Sequence, residues 1–151
     1  MKPSTFITTA MLAIGLASCS TGDSPLLQQA RSMQESMMRN CQSLDSTVSI
    51  KITELEAKLI EMSQDTTLNG DSIKLGSYVT IKEKYNSLLD YKTKIDNWRL
   101  GVKLIPTPEE IANGTENPFG KDAKDEDVLT QIKSANADYL TMQSDIASMM
   151  K

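Results

Sequence analysis

The chain predicts an all-α fold, an antiparallel three-helix bundle with a long first helix. Three observations lead there. Apolar residues recur at Leu26, Ala30, Met33, Met37, Cys41, Leu44, Val48, Ile52, Leu55, Leu59 and Met62, ten steps of three or four over 36 positions. Their mean of 3.6 is the period of one helix face. Two further stripes keep the same period, and Asn-Gly pairs at Asn69-Gly70 and Asn113-Gly114 interrupt them with turn chemistry. Amphipathic helices of this kind stay dry only by packing on one another, and loops of this length join antiparallel neighbours.

Ser24 followed by Pro25 marks the start of the first helix, because a proline at the first helical position misses no hydrogen bond. Unbroken to Met62, that helix would run close to 60 Å at 1.5 Å per residue. One stretch competes. Thr47-Val48-Ser49-Ile50-Lys51-Ile52 alternates polar and apolar and is rich in branched residues, which suits a strand. The stripe continues in phase on both sides, so a helix is expected there, with a kink at residues 46–52 left open.

Residues 64–72 read as a turn, and a second helix starts after Asp71 or after Ser77. The earlier start takes in Gly76, at a cost of about 1 kcal/mol. Its inner face collects Tyr78, Ile81, Tyr85, Leu88, Ile95, Trp98 and Val102, with Lys92 interrupting, and it ends by Pro106. Thr107-Pro108-Glu109-Glu110 has a capping-box pattern that Asn113-Gly114 stops after one or two turns. A loop over 115–124 leads to the third helix, whose opening Asp125, Glu126 and Asp127 suit the positive end of a helix dipole. Its stripe is Val128, Ile132, Ala135, Tyr139, Met142, Ile146 and Met149. The first helix outruns its partners. Either its first turns project as a stalk, or the overhang packs against another copy.

The first 18 residues read differently. Lys2, the 12-residue apolar stretch Phe6–Ala17 and small residues before Cys19 have the layout of an export signal. The stretch is short of the roughly 20 residues a membrane-spanning helix needs. Leu16-Ala17-Ser18-Cys19 resembles the lipobox of bacterial lipoproteins, an aliphatic residue, two small ones and a cysteine. The resemblance covers the leader alone. It implies a cleaved signal peptide over 1–18, a diacylglycerol on the Cys19 thiol and usually an acylated new amino terminus. A lipidated tether over 19–24 would then precede a helical domain over 25–151. It also implies a cell-envelope location with the lipid bilayer as partner through acylated Cys19. Ser20 in place of an aspartate after the cysteine favours the outer membrane, with the domain facing the periplasm or the cell exterior. Each buried methylene contributes about 0.8 kcal/mol, so two or more chains hold a protein stably on a membrane.

Loss of Lys2 with the leader leaves 15 of 16 basic residues against all 20 acidic ones. That balance argues against a nucleic-acid partner, whose binders carry a basic stripe, and supplies no polybasic patch for anionic lipid. Histidine is absent, which removes the commonest general base and metal ligand. With Cys19 taken by lipid, Cys41 has no partner within the monomer. Between Met37 and Leu44 it falls on the inward face, as a buried thiol acting as a small hydrophobe. A disulfide between two chains is the alternative.

Met33, Met37, Met62, Met142 and Met149 lie on the inward stripes, where core packing accounts for them better than a copper(I) site or an open apolar groove. Glu54 with Lys58 and Asp90 with Lys94 have the spacing of solvated ion pairs. The acidic run at 122–127 lacks the alternating oxygen ligands, central glycine and distal glutamate of an EF-hand. No phosphate loop, nucleophile elbow or zinc spacing is present. Neither catalytic residues nor a cofactor or metal is therefore expected, and the chain does not read as an enzyme. Trp98 and Arg99 are the residue types found at binding hot spots and stand as a candidate partner surface, against the plainer reading that Trp98 closes one end of the core. Asp45-Ser46-Thr47, Asp65-Thr66-Thr67 and Asp71-Ser72-Ile73 resemble sites at which some bacteria O-glycosylate exported proteins.

The expected role is structural or adaptor-like, with another envelope protein or a second copy as partner. The alternative is a carrier or chaperone-like binder holding an apolar ligand or client peptide in a Met-rich helical groove. The leader makes a direct prediction. Intact mass of the envelope-extracted protein should begin at Cys19 with acyl increments, and a Cys19→Ala variant should lose them. An unmodified mass would remove the lipobox reading, and a mass with only the lipid increments would remove the glycosylation reading.

Overall fold

A computed structural model describes residues 23–150. The expected signal peptide over 1–18, Cys19 and residues 20–22 of the tether lie outside the described residues. The described chain is all-helical, with four α-helices and one 3-10 turn: α1 (Pro25–Ser63), the turn at Leu68–Gly70, α2 (Ser72–Gly101), α3 (Pro108–Ala112) and α4 (Asp125–Met149). No strand occurs among the described residues.

Each boundary has a local cause. The Ser24 hydroxyl accepts the Leu27 N–H and Pro25 occupies the first helical position, so α1 begins where the cap and the proline agree. The strand-like stretch at 47–52 is helical throughout, because Val48 is fully buried on the stripe and Ile52 packs beside the same cluster. Burial of the face outweighs the β-preference of its branched residues. The second helix takes the earlier of its two starts. Asp71 Oδ1 accepts the Ile73 and Lys74 N–H groups at 2.9 and 3.1 Å, and the cap offsets the cost of Gly76. α3 is opened by the reciprocal pair of Thr107 and Glu110: the Glu110 N–H donates to Thr107 Oγ1 and the Thr107 N–H donates to Glu110 Oε2. Gly114 then turns the chain away at φ 88°, a backbone conformation that favours glycine.

The helix pairs are fixed by contacts of falling and rising number. Along α1 and α2 or its flanks, Gln34 meets Ile105, Asp45 meets Lys92, and Asp65 meets Lys74, so the two run antiparallel. Along α2 and α4, Trp98 meets Ala135 and Tyr91 meets Asp145, again antiparallel. Two clusters of buried side chains result. Met37, Cys41, Leu44, Val48, Ile95, Tyr139, Met142 and Ile146 form one. Ala30, Ile105, Val128, Leu129 and Ile132 form the other, nearer the amino-terminal end of α1.

Two expectations about the first helix need correction. Its first turns are not a free stalk: Ala30 is fully buried, and Leu27 and Met33 pack against the second cluster. The overhang is instead at the far end, where α1 and α2 continue as a two-helix hairpin past the end of α4. There only Leu55 and Leu88 are buried, and Ile60, Ile73, Leu75 and Val79 are exposed. Leu26, the first position of the stripe, is also exposed.

This uneven packing generates a contrast between two isoleucines of α2. Ile95 is inaccessible and Ile73 is 79% exposed. Ile95→Ala should cost about 2–5 kcal/mol by transfer and cavity terms, and Ile73→Ala should stay within about 0.5 kcal/mol. Urea denaturation of both variants checks this, and equal losses would show that the hairpin end is packed in solution.

Candidate functional site

Three places gather side chains of interest, and each is assembled by the antiparallel pairing. The first is the interior junction of Trp98, Tyr139 and Cys41. The Trp98 and Tyr139 rings lie 5.6 Å apart at 43°, and the Trp98 indole N–H donates to the Ala135 carbonyl at 3.2 Å. The indole thus closes the α2–α4 seam with its one donor satisfied. Tyr139 is buried, and its hydroxyl has no hydrogen-bond partner among the described residues. Burial pushes its pKa up, and the neighbouring Cys41 adds to that. Cys41 is itself a buried free thiol, held above its ordinary value chiefly by burial. A thiol kept protonated is a poor nucleophile.

The second place is an ion cluster on the α1–α2 seam. Asp45 pairs with Lys92 and lies 3.5 Å from Arg99, while Asp96 lies 3.9 Å from Lys92 and 4.0 Å from Arg99. Lys92, which interrupts the apolar stripe of α2, is thereby given a partner on α1. Two carboxylates facing two cations neutralise one another, so the cluster fastens helices and offers no spare charge to a ligand. Pairs as exposed as these contribute at most about 1 kcal/mol each. Trp98 and Arg99 are adjacent in sequence, yet the structure turns them to different neighbours, Trp98 to α4 and Arg99 to α1. Trp98 is half-buried and lines a cleft of about 350 Å³ with Val102, Phe119 and Asp138, whereas Arg99 is exposed.

The third place is the segment that leaves α2. Residues 102–107 contain no helix, and Ile105 is tied down by its N–H to Gln34 Oε1 at 2.7 Å. Beside it a solvent-open cleft of about 630 Å³ is lined by Gln34, Leu100, Leu104, Pro106, Glu110 and Pro118, among others. No sequence motif marks it, because its walls come from a helix end, an irregular segment and α3. The one available signal is the pair of leucines, Leu100 and Leu104, that falls off the inner stripe of α2.

The chemistry these places can perform is narrow. Every carboxyl whose protonation is displaced is held toward its charged form. Asp65 is kept so by the Lys74 ammonium and by Thr67, Glu54 by Lys51, and Glu110 by the Thr107 N–H and hydroxyl. None is raised toward the range of a general acid. Among the described residues no group of three histidine, cysteine or acidic residues is placed to hold a metal ion. The expected surface pairs also resolve differently. Glu54 bonds Lys51 at 2.8 Å instead of Lys58, and Lys94 lies over the Tyr91 ring at 4.3 Å instead of beside Asp90. Of the three hydroxyl triplets, Ser46 donates back to the Gln42 carbonyl within α1, Thr66 lies exposed in the hairpin turn, and Ser72 opens α2.

The unpaired Tyr139 hydroxyl gives a signed prediction. A group whose folded pKa is raised holds its proton more tightly when folded, so its stability is fully present below the unfolded value. It is lost as pH rises from that value through the folded one. For Tyr139 this begins near 10, and for Cys41 near 9. Tyr139→Phe should raise stability by about 1 kcal/mol at neutral pH, since a buried unpaired hydroxyl is removed. Its advantage over the parent should widen in alkaline buffer. Urea midpoints measured on both sides of this range test it, and a lower midpoint for the variant at neutral pH would mean that the hydroxyl has a partner. Compared with known proteins, the chain matches no family model, no curated protein and no solved structure.

Proposed function

We propose that this chain is a non-catalytic cell-envelope lipoprotein, held on the outer membrane by acylated Cys19, that acts as a structural or adaptor protein. Its body would be an antiparallel three-helix bundle of α1, α2 and α4. It would present helical surface to another envelope protein or to a second copy of itself, and not to nucleic acid. The observation that supports an adaptor over a carrier is the state of the methionine stripes. A carrier would open them to its ligand. Here Met37 and Met142 are 1% and 9% exposed, and Met33, Met38 and Met150 pack against the two clusters.

The carrier reading keeps one observation in its favour, the cleft beside residues 102–107. Its leucines and prolines alternate with Gln34, Lys103, Thr107 and Glu110, a lining less apolar than a pocket for a hydrophobic ligand requires. The adaptor therefore remains the conclusion.

A pulldown of the native protein from gently solubilised envelopes, beside a Cys19→Ala version, separates the two. A stoichiometric partner or a second copy, lost with Cys19, is the expected result for an adaptor positioned by its anchor. Recovery of the protein alone with a bound apolar molecule would overturn it in favour of the carrier.

A further inference from the structure

We propose that the loop-rich end of the molecule rests on the surface of the bilayer that holds Cys19, through Leu100, Leu104 and Ile111. The body and the acyl chains would then touch the same membrane. This inference rests on the lipid-anchor reading and adds to it a second point of contact.

Asp23 is not a free end. Its carboxylate accepts the Arg31 Nε–H at 2.7 Å and its carbonyl accepts the Gln28 side-chain amide at 3.2 Å. The start of the described chain is therefore folded back along the first turns of α1. Gln34, one turn beyond Arg31 on α1, accepts the Ile105 N–H at 2.7 Å, and Leu27 packs against the cluster that contains Ile105. The chain thus departs at the end where the 102–107 segment leads into α3, and Gln34 lines the same cleft as Leu100 and Leu104.

Length then limits the separation. Cys19 precedes Asp23 by four residues, which reach at most about 14 Å even when fully extended. The polar layer on each side of a bilayer is itself roughly 5–8 Å thick. A cysteine whose acyl chains are in the hydrocarbon therefore holds the α3 end against or just above the headgroups, and cannot carry it far away.

The surface at that end suits such a neighbour. Leu100 is 86% exposed, Ile111 52% and Leu104 41%, and none belongs to either buried cluster. The charges lining the cleft with Leu100 and Leu104 are mixed, Lys103 with Glu110 and Glu116. The contact is accordingly apolar and fits neutral headgroups, with no added attraction to anionic lipid.

The test uses the full-length lipidated protein in phosphatidylcholine vesicles containing a lipid-borne fluorescence quencher. Leu104→Cys and Ile111→Cys variants carry the fluorophore at the proposed contact, and Ile60→Cys and Ile73→Cys carry it at the opposite hairpin end. Cys41 is buried and does not compete for the label. The expected result is strong quenching at 104 and 111, little at 60 and 73, and no change when anionic lipid is included. Equal quenching at both ends in protein that still floats with the vesicles would overturn the surface contact while leaving the anchor intact. Shielding of 104 and 111 that depends on protein concentration in detergent without lipid would overturn it in favour of a second copy. Protein that neither floats nor carries acyl mass would overturn the anchor itself, and the contact with it.

Discussion

One helix must serve two partners. α1 lays its Asp45 and Gln34 side against α2 and the segment that follows it, and the neighbouring side, with Ala30 and Val48, contributes to the clusters shared with α4. A stripe one residue wide could satisfy one neighbour; the two-sided face of α1 brings three helices around a shared interior. Trp98 and Tyr139 sit where these surfaces meet, and the indole bond to Ala135 fixes the remaining seam. If α1 lost its helical continuity at 47–52, both partners would lose their register at once, because Val48 and Ile52 within that stretch pack in the same cluster as Met37, Cys41 and Leu44 before it.

The same dependence explains where α4 stops. On α2 the face that meets α4 is marked by Trp98 and Tyr91. Stepped back by three and four residues, that face passes through Ser87, Lys84, Thr80 and Ser77. It turns polar where α4 ends, and Thr80 and Ser77 bond to carbonyls of their own helix. Past this point α1 and α2 need cover only one another, which Leu55 and Leu88 begin and the half-buried Leu59, Met62, Ile81 and Tyr85 continue. A hairpin without a third helix is thus written into α2 as a change of face, and is no accident of chain length.

Much of this was legible in the residues because helical burial is periodic. The stripes of the three long helices name most of the buried positions, and Ser24-Pro25, Thr107–Glu110 and Gly114 mark ends through chemistry that acts within a few residues. What escaped was whatever depends on a distant partner. Lys92 reads as a defect until Asp45 of α1 is set beside it. Leu129 lies outside the simple stripe of α4 and is buried by the second cluster, which includes Ile105. The end at which α1 outruns the others follows from register, and register was not visible in the periods alone. The cleft by Leu100 and Leu104 was illegible for the same reason, since its walls come from separate segments.

Packing strength therefore runs along the molecule in one direction. One buried cluster lies where α1, α2 and α4 meet and the other between α1, α4 and the segment after α2, whereas the hairpin turn is held by local, solvent-facing bonds. There the Lys74 ammonium bridges Asp65 and Thr67, and the Asp71 carboxylate caps α2. Exposed bonds of this kind contribute little each, and local opening begins where buried contacts are fewest. The sparsely packed turn also stands at the opposite end from Asp23, the first described residue. If the chain is the anchored adaptor proposed above, its firm part would lie beside the membrane and its yielding part would reach away from it. That is the arrangement in which a partner can reshape the tip without disturbing the core that positions it.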